Sequence, residues 1–332
     1  MSISVSASSA TSFSKPVVIL GGSGFIGARL TRLLVDQRTP VCIGDIRKSE
    51  YFPELWTECD VRRLEPVENI VRGADVIVNL AAEHRDDVYP VSRYYETNVR
   101  GASEICSAAR RARVQRIVFT SSVAVYGFHS RPVDESGPFS PFNEYGKTKL
   151  TAERIYRDWA SEDPSRTLVI VRPTVVFGEG NRGNVYNLLR QIASRHFLMV
   201  GAGNNTKSMA YVGNVATFLV HALSLPPGEH IFNYVDGPDM TTKRLVEHIR
   251  SCMQIPGETR TIPKSIALAG GYFLDMIARV SGKTFPVSAI RVRKFCESTQ
   301  FCADRVLSSG FTPPYSLREG LARTIQFEFQ GR

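Results

Sequence analysis

The 332-residue sequence lacks most features of membrane-spanning, disulfide-bonded and metal-binding proteins. No apolar run is long enough to cross a bilayer, so we expect no transmembrane helix. The six histidines are scattered, which argues against a metal site. No Cys-x-x-Cys spacing occurs, so we expect free thiols in a reducing compartment. The six cysteines are Cys42, Cys59, Cys106, Cys252, Cys296 and Cys302. These absences together predict a cytoplasmic protein.

Residues 1–15 lack the apolar core and basic start of a secretory signal. They are rich in serine, which predicts a disordered tail. The net charge of +9 and the pI of about 9.3 indicate phosphate-bearing ligands, an anionic membrane surface or nucleic acid. Because there is no dense run of lysine and arginine and no nucleic-acid motif, we expect no nucleic-acid partner.

A glycine-rich loop follows the first predicted strand, residues 16–20. Gly21, Gly24 and Gly27 have the spacing Gly-x-x-Gly-x-x-Gly, with Phe25 and Ile26 between the last two. A helix is predicted to follow, to about residue 37. Glycines allow a tight turn and the close approach of a pyrophosphate, which binds at the helix N-terminus. The loop therefore predicts a dinucleotide site.

An acidic residue ends the second predicted strand, residues 41–44. Asp45 lies about 20 residues beyond the loop, where a carboxylate binds the adenosine ribose hydroxyls. Its charge would repel a 2′-phosphate, so the sequence favours NAD over NADP. Arg47 could soften that preference, or it could be a solvated loop cation.

Strands and helices alternate through the first half of the chain. Further strands are predicted at residues 75–80, at Val118 and at 167–172, with helices at 93–111 and from Tyr145. This order predicts an α/β fold, a Rossmann-type doubly wound parallel sheet with a smaller C-terminal α+β substrate lobe. We assign residues 16–178 to the NAD-binding domain. Residues 179–332 are assigned mainly to the substrate lobe, with some chain returning to the core.

Three side chains predict proton transfer from a secondary alcohol. Tyr145 and Lys149 are four residues apart on the helix that follows the Val118 strand, so they share one face. A neighbouring ammonium favours the phenolate form of a tyrosine. Ser122, on the preceding strand, could hydrogen-bond the same substrate oxygen. We therefore predict Tyr145, Lys149 and Ser122 as the catalytic residues, which also contact substrate or cofactor.

Neighbouring residues offer alternatives. Tyr126 is a competing tyrosine that we expect to pack beside the site, and Ser121 is a competing serine that we expect to contact cofactor or backbone. Elsewhere a Tyr-x-x-x-Lys pair is most often a surface helix pair; here it accompanies a strand serine and a dinucleotide loop.

Together these residues resemble the extended short-chain dehydrogenase/reductase family, which includes the nucleotide-sugar epimerases and dehydratases. The resemblance departs from the family pattern at Leu20, where threonine is usual, and at Lys207-Ser208, where Arg-Asp is frequent. It implies transient oxidation of a sugar by a tightly held NAD, and a homodimer through the helices after Arg93 and Tyr145. The further cofactor contacts that it implies are Asp60, Val61, Leu80, Ala81, Ala82, Asn98 and Pro173.

Longer strings resemble the 4-epimerases that act on N-acetylglucosamine linked through diphosphate to undecaprenol in O-antigen and lipopolysaccharide assembly. The strings lie at residues 80–88, 180–189, 207–214 and 308–311. Three alternatives stay open: a UDP-sugar 4-epimerase, an NAD(P)H-dependent reductase of 4-keto-6-deoxy sugar nucleotides, and a non-catalytic NAD-binding regulator. The intact Tyr145 and Lys149 argue against the last.

Charged and polar residues outside the glycine loop are candidates for substrate binding. His84, Arg85 and Asp86 follow a strand end, where doubly wound sheets bind ligands, and a structural ion-pair network is the alternative there. The other candidates are Arg182, Asn184, Lys207, Arg291 and Arg293, the last two on a predicted strand at 290–294. Arginine forks and lysine charges suit a diphosphate, although solvated charge is the simpler interpretation.

The segment from Pro263 to Val280 has helical apolar periodicity with basic residues around it. An amphipathic helix of this kind could rest on a membrane and admit a polyprenyl chain, or it could simply cap a core. With the lipid-linked resemblance, the first alternative predicts a peripheral protein on the cytoplasmic face of the inner membrane.

Overall fold

The first half of the chain alternates strands and helices. The structure is a computed structural model that describes residues 13–85, 88–129, 131–281, 292 and 295–330. Its elements to the end of the main sheet region are β1 (Val17–Leu20), α1 (Phe25–Asp36), β2 (Val41–Asp45), β3 (Trp56–Glu58), α2 (Leu64–Val71), β4 (Val76–Asn79), α3 (Ser92–Tyr94), a π-helical turn (Tyr95–Arg100), α4 (Gly101–Ala112), β5 (Arg116–Thr120), a 3₁₀ turn (Val123–Val125), α5 (Glu144–Ser161) and β6 (Thr167–Pro173).

The second half has shorter strands. Its elements are β7 (Val175–Phe177), α6 (Asn184–Ala193), β8 (Met199–Val200), β9 (Thr206–Lys207), β10 (Met209–Tyr211), α7 (Val212–Ala222), β11 (Gly228–Tyr234), β12 (Met240–Thr241), α8 (Thr242–Cys252), β13 (Thr261–Ile262), α9 (Lys264–Ser281), α10 (Asp304–Ser308), α11 (Leu317–Ile325) and a second π-helical turn (Gln326–Gln330).

A seven-stranded parallel sheet with the order β11-β6-β5-β4-β1-β2-β3 organises the fold. Alternate residues of a strand point to opposite faces, so Val17 and Ile19 pack with α1 and α7, whereas Val18 and Leu20 pack with α2, α4 and α5. Strands buried on both faces read as continuous apolar runs. The predicted Rossmann-type fold is confirmed, and β11 joins this sheet from beyond residue 179.

The strand order reverses between β1 and β4. In doubly wound sheets, ligands bind at the carboxyl ends of the strands at this point. The glycine loop leaves β1, Asp45 ends β2, Leu80 follows β4, and Pro173 ends β6. The sheet therefore gathers residues that are far apart in sequence along one edge.

Three smaller two-stranded sheets and the helices α6, α8 and α11 form a second core. Leu189, Ile249 and Leu321 are completely buried in it. The predicted strand at residues 290–294 is wrong at its one described position, since Val292 is helical. Arg291 and Arg293 lie outside the described residues.

The helix predicted at residues 93–111 is interrupted by the π-helical turn Tyr95–Arg100. Asn98 is the buried residue of that turn. The Asn98 side chain hydrogen-bonds both the Glu83 backbone and the Thr148 hydroxyl. The π-helical turn thus places a buried amide where its partners are within the protein.

Candidate active site

The glycine loop packs directly against the segment that follows β4. Gly21 has φ of +79°, and a Cβ there would lie 2.6 Å from the Ala81 nitrogen. A Cβ on Gly27 would lie 2.6 Å from the Gly22 Cα. Gly24 precedes α1, whose N-terminus has no side-chain cap. A tightly packed glycine turn that leads into uncapped helix amides fits the pyrophosphate of a dinucleotide.

Asp45 is buried and tied to this loop. Its carboxylate accepts hydrogen bonds from the backbone amides of Ser23 at 3.1 Å and Arg47 at 3.0 Å. The Ser23 hydroxyl donates to the Arg47 carbonyl at 2.8 Å. The Arg47 side chain is exposed and its backbone makes these contacts, which agrees with a solvated loop cation.

Asp60 and Val61 follow β3 on the adenine side of the predicted cofactor site. Asp60 accepts a bidentate hydrogen bond from the Arg62 guanidinium, Nε to Oδ1 and Nη2 to Oδ2, and this contact lowers the pKa of the carboxyl. Val61 is buried. The carboxylate is therefore already paired in the structure, and Val61 supplies an apolar surface.

Two buried amides hold the segment Leu80–Glu83. The side-chain oxygen of Asn79 accepts a hydrogen bond from the Ala81 backbone amide at 3.0 Å, and its side-chain NH₂ group donates to the Tyr156 hydroxyl. Asn98 accepts from the Glu83 amide at 2.9 Å and donates back to its carbonyl. The segment that carries the predicted cofactor contacts Leu80, Ala81 and Ala82 is thus held in place by Asn79 and Asn98.

Tyr145 and Lys149 occupy adjacent turns at the start of α5, as the spacing predicted. The Lys149 ammonium lies 5.9 Å from the centre of the Tyr145 ring and 4.7 Å from that of Phe119. It donates to the Thr120 carbonyl at 2.8 Å. Burial lowers the pKa of Lys149 to about 7, although the charge of Glu153 opposes this shift.

Ser122 is extended and caps the 3₁₀ turn that follows β5. Its Oγ accepts from the Ala124 amide at 3.1 Å, which leaves the hydroxyl proton as a donor for a substrate oxygen. Asn143 caps α5 by accepting from the Gly146 amide at 2.9 Å. These two caps fix the segments that carry Ser122 and Tyr145.

The competing residues Ser121 and Tyr126 belong to a buried network. Ser121 donates to Glu153 at 2.5 Å through its hydroxyl, and its backbone amide donates to the Val171 carbonyl at 2.7 Å. The Tyr126 hydroxyl accepts from Arg172 at 2.6 Å and donates to Asn233 at 2.8 Å. Burial raises the pKa of Tyr126. A hydroxyl that a raised pKa keeps protonated, and whose hydrogen bonds are already made, is less available as a base, which favours Tyr145.

Glu153 and Arg172 join α5 to β6 beneath the site. The guanidinium donates to both carboxylate oxygens, at 2.9 and 2.6 Å, and both side chains are almost completely buried. Sequence inspection missed Glu153, Asn79 and Asn233. Glu153 lies one turn after Lys149 on the same helix face, and this spacing could have revealed it.

The predicted substrate residues lie at separate places around the site. His84 and Arg85 are exposed beyond β4, and Asp86 and Asp87 lie outside the described residues. Lys207 is partly buried in β9 and donates to the Glu297 carbonyl. Burial lowers its pKa.

Arg182 is held by the C-terminal π-helical turn. Its guanidinium donates to Glu328 at 2.5 Å and lies 4.3 Å from the centre of the Tyr186 ring. Glu328 also accepts from the Gly180 amide at 2.8 Å. Asn184 is the first residue of α6, directly after this loop. To bind a diphosphate, the Arg182 guanidinium would therefore have to exchange the Glu328 carboxylate for phosphate oxygens.

The doubly wound sheet, the glycine loop and the Ser122–Tyr145–Lys149 arrangement define a dinucleotide-dependent enzyme of the Rossmann-type class. The chain belongs to the NAD dependent epimerase/dehydratase family, whose model matches residues 17–234. This result confirms the resemblance inferred from the glycine loop and Tyr145, and it confirms NAD as the cofactor.

Similar proteins include sugar 4-epimerases. Over 315 residues the chain is 45% identical to N-acetyl-alpha-D-glucosaminyl-diphospho-ditrans,octacis-undecaprenol 4-epimerase of Escherichia coli O157:H7, covering 94% of this chain and 95% of that protein. It is 26% identical over 328 residues to UDP-glucose 4-epimerase of Vibrio cholerae, with coverage of 94% and 95%. A UDP-glucuronic acid 4-epimerase from Bacillus cereus, solved with NAD, has the same fold, with a TM-score of 0.74, 16% identity and coverage of 95% and 99%.

Proposed function

We propose that the protein interconverts N-acetylglucosamine and N-acetylgalactosamine on an undecaprenyl diphosphate carrier, through a transient 4-keto sugar. The observation that carries this proposal is 45% identity, over nearly the whole of both chains, to a relative named for the lipid-linked epimerisation. The UDP-glucose 4-epimerase of Vibrio cholerae is only 26% identical over a similar length. Both matches cover 94% of this chain and so include much of the substrate lobe, where specificity is expected to lie.

The proposed cofactor site is the edge formed by the glycine loop, Asp45 and the Leu80–Ala82 segment. Gly21 and Gly27 let the loop pack tightly against the backbones of Ala81 and Gly22, where side chains would collide. This compact turn leads into the α1 N-terminus, where a pyrophosphate would bind. Asp45 is positioned for the ribose hydroxyls at the end of β2. When bound, NAD supplies reversible acceptance of the hydride from the sugar C4.

Tyr145 is the proposed base. Its phenolate oxygen would take the proton of the sugar 4-hydroxyl as the C–H bond at C4 breaks, and would return that proton when the opposite epimer forms. The Lys149 ammonium favours the phenolate by its charge, and its hydrogen bond to the Thr120 carbonyl fixes its position. Ser122 would donate a hydrogen bond to the same sugar oxygen and keep it in place while it is a ketone.

We propose that the diphosphate is bound by Arg182, Asn184 and Lys207, with His84 and Arg85 near the sugar. Arg182 and Lys207 each carry donors that match phosphate oxygens. In the structure they donate instead to Glu328 and to the Glu297 carbonyl. Binding would therefore replace intramolecular acceptors by phosphate oxygens.

The proposed substrate resides in a membrane, so the enzyme would work at the membrane surface. In the described part of the chain, no helix is both long and apolar enough to span a bilayer. Contact with the membrane would accordingly be peripheral. We further propose a homodimer through α4 and α5, which light scattering of the purified protein would test.

Substrate choice is tested by incubating the purified protein, without added cofactor, with the undecaprenyl-diphosphate sugar and separately with UDP-N-acetylglucosamine. We expect conversion of the lipid-linked sugar alone. Turnover of only the UDP-sugar would contradict the proposed substrate and support the UDP-sugar alternative. Stoichiometric consumption of added NAD(P)H on a 4-keto-6-deoxy sugar nucleotide would instead support the reductase.

A further inference from the structure

Helix α9, Lys264–Ser281, presents its large apolar side chains to solvent. Ile266, Phe273 and Met276 are 61%, 58% and 57% exposed. They are separated by seven and three residues, so they share one face of the helix. On the opposite side, the buried positions among residues 264–276 are the small residues Ala267 and Gly271, and Leu268 and Leu274 are half-buried. This part of the helix therefore packs closely through small residues and leaves Ile266, Phe273 and Met276 exposed.

The remaining residues of this outward face carry no charge. At 100° per residue, Ala269 lies between Ile266 and Met276, and Ser265 and Tyr272 lie beside Met276 at the edge of the same face. All three are exposed. We call these six residues the α9 outer face. A helix that only caps a core buries its large apolar side chains, so the observed burial argues against that alternative.

Isolated exposed apolar residues are ordinary, but several on one helix face mark an interaction surface. The surface lies on a helix that does not have the length and apolarity to span a bilayer. Lys264 begins the helix and is exposed, and the chain carries a net charge of +9. An apolar face on a basic protein matches the interface of an anionic bilayer, where such a helix lies in the plane of the membrane.

We propose that the α9 outer face is a membrane-docking surface that inserts Ile266, Phe273 and Met276 into the interfacial region of an anionic phospholipid bilayer. The proposal rests on the proposed function, because a lipid-linked sugar is the reason for an enzyme of this family to meet a membrane. Docking would bring the enzyme to the surface where its substrate is held and leave the Rossmann half in the aqueous phase.

The test is flotation of the full-length protein with vesicles of phosphatidylethanolamine and phosphatidylglycerol. The variant Ile266→Glu/Phe273→Glu places two charges in the apolar face, and we expect vesicle binding to fall by about tenfold or more. The matched control is Leu307→Glu in α10. Leu307 is as exposed as Ile266, at 61%, but lies outside the α9 outer face. We expect Leu307→Glu to bind like the unchanged protein.

Equal binding of the double variant and the unchanged protein would overturn the proposal, as would an unchanged protein that does not float with the vesicles. The same charges could separate two copies of the chain if α9 were an oligomer contact. A fall in molar mass by light scattering with vesicle binding retained would show this, and would also overturn the docking surface.

Activity measurements separate this inference from the proposed function. On a water-soluble N-acetylglucosaminyl diphosphate with a short prenyl chain, we expect the double variant to match the unchanged protein. On undecaprenyl-linked substrate in vesicles, we expect it to be slower by about the factor lost in binding. If the unchanged protein floats with vesicles but converts neither lipid-linked sugar, the proposed function fails and the docking surface stands.

Discussion

Helices α5 and α9 have the same length, 18 residues, but they break the ordinary pattern of burial in opposite directions. Helix α5 buries Thr148, Lys149 and Glu153 against the sheet. Helix α9 exposes Ile266 and Phe273 to solvent. A helix that serves only packing would do neither, because charge is costly inside and apolar surface is costly outside.

The two departures have different physical consequences. Charge buried at α5 lies beside Tyr145 and is positioned by hydrogen bonds to Thr120 and Arg172, so it is suited to chemistry. Apolar surface at α9 is suited to a partner that removes it from water. The buried charge of α5 thus marks the proposed reaction centre, and the exposed apolar surface of α9 marks the proposed docking surface.

The largest effect should come from Tyr145→Phe. Removing the proposed base should lower the epimerisation rate by about a thousandfold or more, whereas NAD should still bind because the glycine loop is unchanged. Rate assays together with titration of bound NAD measure both. Tyr126→Phe is the control, and we expect it to lower stability but keep the rate within about tenfold. Full activity in Tyr145→Phe would show that another group is the base.

Breaking the ion pair beneath the site should have the next largest effect. Arg172→Met leaves the buried Glu153 carboxylate without its guanidinium and should lower the free energy of unfolding by about 3–5 kcal/mol. Urea denaturation measures this change. Arg157→Met breaks a pair with Glu229 of equal length, 2.6 Å, that is about two-fifths exposed, and should cost less than about 1 kcal/mol. Equal losses of unfolding free energy in the two variants would mean that burial does not determine how much breaking an ion pair destabilises the protein.

Lys149 should make the apoprotein more stable as the pH rises. Its pKa is about 7 in the folded protein and near the ordinary 10.5 when unfolded, so between these values the unfolded chain binds the extra proton. Folding stability should therefore increase by about 2 kcal/mol from pH 7 to 9, and this increase should be absent in Lys149→Met. Urea denaturation of both apoproteins at several pH values measures the difference. Parallel curves for the two proteins would contradict the lowered pKa.

The smallest effect should come from a charge on the α9 outer face. Phe273→Glu should change the free energy of unfolding by less than about 0.5 kcal/mol because the side chain is exposed. Ala267→Glu puts the same charge on the inward side and should cost about 2 kcal/mol or more. Thermal or urea denaturation compares the two variants. A larger loss of unfolding free energy for Phe273→Glu than for Ala267→Glu would show that α9 packs through the face assigned here to solvent.

The Rossmann half could be predicted well because its signals are local. Gly21, Gly24 and Gly27 lie within one turn and helix start, and Tyr145 and Lys149 are one helical turn apart. A continuous apolar run in the sequence indicates by itself a strand that is buried on both faces of the sheet. Fold, cofactor and the proximity of Tyr145 to Lys149 therefore followed from short stretches of sequence.

The substrate half could not be predicted in the same way because its contacts are long-range. Arg182 pairs with Glu328, 146 residues away, and Lys207 donates to the carbonyl of Glu297. No local spacing indicates such partners. Periodicity likewise identified an apolar face on α9, but only the packing of Ala267 and Gly271 shows that this face points outward.

The most direct test of the proposed epimerisation uses undecaprenyl-diphosphate-linked N-acetylglucosamine that carries deuterium at C4, incubated with purified protein and no added cofactor. Mass and NMR analysis of the sugar released from the product then report the configuration and label at C4. We expect N-acetylgalactosamine that retains the deuterium at C4, because a hydride removed and returned within one active site is not exchanged with water. Absence of conversion, or product in which C4 carries solvent hydrogen, would contradict the proposal.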